Sequence, residues 1–214
     1  LEFIINNYIQ IHPLALLDYP NVREDVRLKI KDILGEHDDG KWYFIKRLAR
    51  GMAKIASAFH PHNIIIRFSD FKSNEYRNLI GGELYEPTEE NPMLGWRGAS
   101  RYYSDDYKKG FELECLAIKY ARETMDMKNI IVMIPFCRTP EECKKVLDTM
   151  KEYGLERGKN DLQVYLMCEI PSNVIEADTF SQYIDGVSIG GNDLLQLTLG
   201  IDRDSEKIAN LSDH

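Results

Sequence analysis

The sequence predicts an α/β fold with a parallel sheet, and three observations carry that reading. Apolar, β-branched runs begin at Ile64, Ile130, Val164 and Gly186. Stretches of helical periodicity separate them. Three of the runs end in charged residues: Arg67, Glu169 and, just past the last run, Asp193. Short apolar runs bounded by breakers read as buried strands, and strands alternating with helices read as βαβ units. In such units the strand C-termini share one face, and ligands bind there.

The elements follow in chain order. The apolar run Leu1 to Ile5 is expected to be the remnant of a strand. Asn21 is expected to cap a helix carrying Val22, Val26, Ile30, Ile33 and Leu34, with Gly35 as its stop. Gly40 precedes a second helix with Ile45, Leu48, Met52, Ile55 and Phe59 on one face. The His60-Pro61-His62-Asn63 stretch closes it and reads as a loop, since no third metal ligand is near. Ile64-Ile65-Ile66-Arg67-Phe68-Ser69 is expected to be a strand ending in polar residues, and its Arg67 is a cation whose unpaired burial would be costly. Residues 70–103 show little periodicity but hold aromatics, which argues for an ordered functional loop over disorder. Asp105 and Asp106 open a helix with Tyr107, Phe111, Cys115, Ile118 and Met125. Thr139-Pro140-Glu141-Glu142 is a strong helix start: a capping hydroxyl, proline at the first position, glutamate three residues on. That helix should bury Cys143, Val146, Leu147 and Met150 and stop at Gly154.

Composition narrows the function. The chain has 214 residues, 43% hydrophobic and 29% charged, an ordinary globular composition with enough length for one core. A formal net charge of −8 argues against a nucleic-acid partner, because phosphate binding needs a basic patch. No apolar run reaches membrane-spanning length and no signal peptide opens the chain, so no membrane partner and a cytoplasmic location are expected. Cys115, Cys137, Cys143 and Cys168 form no C-x-x-C pair and read as free thiols in a reducing compartment.

Glu169 and Asp193 are the candidate metal ligands. Carboxylates at neighbouring strand ends converge on one point, and oxygens with room for water and substrate suit Mg²⁺. Gly190 and Gly191 would let backbone N–H groups approach a ligand. Asn192 and Asp193 would then start a helix whose N-terminus favours an anion. Four strands and a remnant fall short of the eight that a closed barrel of about 250 residues needs. The chain is therefore either an internal piece of a barrel or a smaller open sheet.

Several ordered motifs carry a resemblance. They are I-I-R-F-S-D-F-K-S-N-E-Y, N-P-M-L-G-W-R-G, M-I-P-F, C-E-I-P-S and I-G-G-N-D-L-L-Q-L-T-L-G-I-D-R-D-S. Over essentially its whole length the chain resembles the C-terminal phosphoenolpyruvate/pyruvate-binding barrel domain of the PEP-utilising enzyme family. F-K-S-N-E-Y before G-G-E resembles its phosphoenolpyruvate synthase (pyruvate, water dikinase) branch more than pyruvate phosphate dikinase or enzyme I of the sugar phosphotransferase system.

The resemblance implies a partial (β/α)8 TIM barrel, a single domain over residues 1–214 truncated at both ends. It implies that Arg67 and Arg97 hold the carboxylate and phosphoryl group of phosphoenolpyruvate, and that Glu169 and Asp193 bind Mg²⁺. Gly190, Gly191 and Asn192 would line the pocket for pyruvate or phosphoenolpyruvate. Arg101 reads as structural. The family's proton-donating cysteine would lie beyond His214, and its phosphorylatable histidine and ATP-binding domain would precede Leu1. None of the four cysteines stands in the donor's context, so no catalytic residue is expected within the chain and it should be inactive alone. A homo-oligomer is expected as well.

Overall fold

The computed structural model describes residues 1–37, 39–202, 205, 207 and 208. At its centre is a sheet of four strands: Ile64–Arg67 (β1), Ile130–Ile134 (β2), Val164–Cys168 (β3) and Gly186–Ile189 (β4). Each strand pairs in parallel with the next in sequence, Ile64 opposite Ile130, Val132 opposite Val164 and Tyr165 opposite Gly186. Adding every strand to the same edge, with helix between, is the winding of a (β/α)8 barrel, and these strands form a curled part of one.

The larger helices are Glu24–Leu34 (α1), Gly40–Phe59 (α2), Lys108–Lys119 (α3), Pro140–Glu152 (α4) and Gly191–Leu199 (α5). Side chains alternate across a strand. In β1, Ile64 and Ile66 turn to the helices and are buried, while Ile65 and Arg67 turn to the concave face. β2 is covered on both faces. The core joins Ile66, Val132, Ile134, Val164 and Leu166 of the sheet to Phe44, Leu48 and Met52 of α2 and to Phe111 and Ile118 of α3. α4 starts as its residues dictate. Thr139 Oγ1 accepts from Glu142 N–H at 3.2 Å, Pro140 opens the first turn, and Gly154 at φ +80° follows the end.

Four local expectations are corrected. The start of the chain is helical, an α-turn at Glu2–Ile4 running into a π-turn at Ile5–Ile9. Its apolar residues recur at helical spacing: Ile4, Ile5 and Ile9 are buried and Phe3 and Tyr8 exposed. Helix α1 begins at Glu24, so Val22 lies outside it. Asp39 caps α2 by accepting from Trp42 N–H at 3.1 Å. That helix buries Ala49, Ala53 and Ala56 and leaves Ile55 and Phe59 exposed, because small residues allow close packing on its inner side. Helix α3 starts at Lys108, with Tyr107 buried just ahead of it. Among the described residues no helix is long and apolar enough to cross a membrane.

Candidate active site

The C-terminal ends of the strands open on a cavity of about 610 Å³. It is lined by Arg67 from the end of β1, Met167 and Glu169 from the end of β3, and Gly190, Gly191, Asn192 and Asp193 from the turn between β4 and α5. Arg97 enters from the long segment after β1. The seven residues singled out from the sequence thus face one cavity, and Asp70 and Glu2 join them.

Carboxylates dominate its floor. Asp70, Glu169 and Asp193 are all buried, and one oxygen from each lies within 4.8 Å of the others. Glu169 follows β3 directly, and its Oε1 accepts from Phe136 N–H at 2.7 Å. The backbone N–H groups of Glu169 and Ile170 donate to Asn173 Oδ1, and Asn173 Nδ2 donates to the carbonyl of Cys137. The turn after β3 is thereby fastened to the turn after β2. Burial, reinforced by the negative Asp70 and Asp193, pushes the Glu169 carboxyl up to about 7, against the pull of the Phe136 N–H and Arg67. Burial also raises Asp70, with Arg97 opposing. An all-oxygen cluster of this kind is the donor set a hard divalent cation takes.

The arginines are held on different partners. Arg97 Nε donates to Asp70 Oδ1 at 3.1 Å and a terminal nitrogen to Oδ2 at 2.5 Å, with Asp193 Oδ2 at 3.5 Å. Its guanidinium lies over the Phe136 ring at 3.9 Å. Arg67 donates to Glu2 Oε1 at 2.8 Å, and the same oxygen accepts from Asp70 N–H. Forked donors in fixed places suit planar or tetrahedral oxyanions.

The long segment at 70–103 is ordered by buried polar contacts. Arg101 pairs with Glu86 through two nitrogens and stacks on Trp96, Tyr76 and Tyr107. His12 Nδ1 accepts from Leu14 N–H, so its other nitrogen donates to Glu86 Oε1 at 3.0 Å. The structural reading of Arg101 agrees with its complete burial in this cluster.

Two expectations about the glycine turn change. The Gly190 N–H donates to the Cys168 carbonyl at 3.0 Å, so it continues the sheet ladder. The lack of a side chain at Gly190 makes room for Glu169, whose Cβ would lie 2.6 Å from an added methyl. The helix begins at Gly191, which makes Asp193 its third residue and Asn192 exposed.

Asp70 was missed in the sequence. Its signal was available, because it follows Arg67 in R-F-S-D just as Glu169 follows an apolar run. Glu2 had no signal, since its segment reads as a strand. His60 and His62 are exposed, and all three of Cys115, Cys137 and Cys143 are buried free thiols.

A parallel sheet wound like a barrel, with acids and arginines at its C-terminal rim, defines a class of anion-binding α/β enzyme domains. Residues 23–214 match the model of the PEP-utilising enzymes' PEP-binding domain, and the chain belongs to that family. Among its curated relatives is the phosphoenolpyruvate synthase of Aquifex aeolicus, 50% identical over 258 residues that cover 99% of this chain and 30% of the relative. The phosphoenolpyruvate synthase of Synechocystis is 53% identical, covering 100% of this chain and 26% of the relative. That of Escherichia coli is 48% identical, covering 100% and 27%. The chain thus spans under a third of the length of these relatives.

Proposed function

We propose that the cavity is the phosphoenolpyruvate/pyruvate half-site of a phosphoenolpyruvate synthase, which converts ATP, pyruvate and water to AMP, phosphoenolpyruvate and phosphate through a phosphohistidine. The observation that carries this reading is the convergence of Asp70, Glu169 and Asp193 beside two arginines in one cavity. Glu169 and Asp193 would hold Mg²⁺, with Asp70 next to them. Bound there, the ion would supply Lewis-acid stabilisation of the enolate of pyruvate.

The chain's own residues supply binding and orientation. Arg67 and Arg97 meet the carboxylate and phosphoryl group with forked donors, offsetting charge on the moving group. Asp70 aims Arg97 by gripping two of its nitrogens. Gly190, Gly191 and Asn192 shape the wall on the β4 side. The reading makes the chain one part of a (β/α)8 domain in a cytoplasmic homo-oligomer. The phosphohistidine and ATP-binding domains, and the acid–base cysteine at the methyl carbon, would come from elsewhere in the full-length polypeptide. The names of the three relatives favour the synthase over enzyme I-like chemistry.

The test is proton exchange at the methyl group of pyruvate, followed by NMR in deuterated water with the full-length protein. Glu169→Gln and Asp193→Asn should each abolish it, together with ATP-dependent phosphoenolpyruvate formation. Near-normal exchange in either variant overturns the assignment.

A further inference from the structure

We infer that Glu114, on helix α3 behind the sheet, is a positioning residue that sets the geometry of Arg67, Asp70 and, through Asp70, Arg97. The inference rests on the half-site reading above.

The geometry begins where the sheet ends. The ladder between β1 and β2 closes with Phe68 N–H donating to the Met133 carbonyl. Beyond it the chain still has to place Asp70, and no strand pairing remains to do so. Ser69 takes over, and every polar group it has is engaged. Its N–H donates to Glu114 Oε2 at 3.0 Å, and its hydroxyl donates to Glu114 Oε1. The same hydroxyl meets the Tyr76 hydroxyl at 2.7 Å, and its carbonyl accepts from the Tyr102 hydroxyl at 2.8 Å. Tyr107 donates to Tyr76 at 2.6 Å, which ties this anchor to the ring stack around Arg101.

Glu114 is otherwise out of place. It is fully buried on a helix whose neighbouring buried residues are Phe111, Leu113, Cys115 and Ile118. A carboxylate carries a large desolvation penalty at such a site unless its oxygens are bonded. Both oxygens are bonded, and to one residue. That residue stands two positions after Arg67 and one before Asp70. A bidentate grip fixes the direction of the chain as well as its position. The carboxylate of Asp70 then reaches Arg97 Nε and a terminal nitrogen together. Rotation of Ser69 would carry Asp70 away from Arg97 and from Glu169.

The test compares Glu114→Gln, Glu114→Ala and Ser69→Ala in the full-length protein. One readout is calorimetric binding of oxalate, a planar dianion shaped like the enolate of pyruvate, in the presence of Mn²⁺. The other is the Arg97 Nε–H resonance and its exchange rate, which need no ligand. Glutamine can still bond both groups of Ser69, so Glu114→Gln should bind oxalate within about threefold of the parent and keep the Arg97 signal. Glu114→Ala should keep its helix content yet bind oxalate about tenfold more weakly, the order found when an outer-shell partner is removed. Its Arg97 Nε–H should shift and exchange faster. Parental affinity and an unchanged Arg97 signal in Glu114→Ala would overturn the inference. If that variant does not fold, Ser69→Ala decides by the same criteria. If the parent binds no oxalate, the half-site reading falls, and the Arg97 signal still decides the role of Glu114.

Discussion

Replacing Gly190 with alanine should damage the site through Glu169, while the same change at Gly191 should not. Gly190 has φ −88°, which any residue adopts, so alanine adds no backbone strain. The new methyl would lie 2.6 Å from Glu169 Cβ, 2.8 Å from its Oε2 and 3.2 Å from Met167 Cγ. Two carbons at the first distance sit about 0.9 Å inside the optimal separation of about 3.5 Å. Cβ is attached to the backbone of the strand end, so rotating the carboxylate does not relieve the overlap. Either the turn after β3 moves or the β4 turn retreats. Overpacking of this kind costs about 1–3 kcal/mol. A displaced Glu169 also loses its register with Asp70 and Asp193, and affinity for Mn²⁺ should fall by about tenfold or more. At Gly191 nothing lies within 4 Å of an added methyl. There alanine should leave stability unchanged or raise it by up to about 1 kcal/mol through helix propensity. Urea unfolding and Mn²⁺ titration by electron paramagnetic resonance measure both effects. A Gly190→Ala protein with parental stability and parental Mn²⁺ affinity would show that the close approach does not matter.

Two further outcomes are expected. Because the Glu169 carboxyl is lifted from 4.5 to about 7, its folded form holds a proton that the unfolded form gives up. Its contribution to stability is present below about 4.5 and is lost as pH rises through about 7, on the order of 3 kcal/mol in all. Cation binding needs the ionised form, so Mn²⁺ affinity should climb up to about pH 7 and level off above it. A flat titration between about pH 5.5 and pH 8 would falsify this. Arg101→Met should leave the buried Glu86 carboxylate with the neutral His12 as its remaining side-chain hydrogen-bond donor among the described residues, and cost about 3–5 kcal/mol in urea unfolding. A loss below about 1 kcal/mol would show that the ring stack, and not the ion pair, holds the loop.

The strands were legible because each is a β-branched run with breakers at both ends, a property of a few consecutive residues. Glu169 and Asp193 were legible for the same reason, as carboxylates at the ends of such runs. What escaped depends on residues far apart in sequence. The order of residues 70–103 comes from His12 meeting Glu86 across 74 positions and Ser69 meeting Glu114 across 45. No local period records such contacts. Asp70 carried a local signal, a carboxylate just past an apolar run, but its place beside Glu169 follows from the curl of the sheet and from the Ser69–Glu114 contact, which no local pattern records. Gly190 was recognised as necessary but for another purpose, since the demand on it comes from the Glu169 side chain on the adjacent strand.

The charge pattern of the cavity is the step that joins these parts. Glu2, Asp70, Glu75, Glu169 and Asp193 line it together with Arg67, Lys72 and Arg97, a formal excess of two negative charges. Alone, such a cavity would repel a carboxylate or a phosphate. Burial, reinforced by the neighbouring acids, also holds Glu169 partly protonated near neutrality. A divalent cation removes both difficulties at once. It matches the excess charge, favours the ionised form of Glu169 and leaves the arginines to meet the anion. On this reasoning anion and cation should bind with positive coupling, each tightening the other. Oxalate affinity measured with and without Mn²⁺ would test it, and equal affinities would refute it.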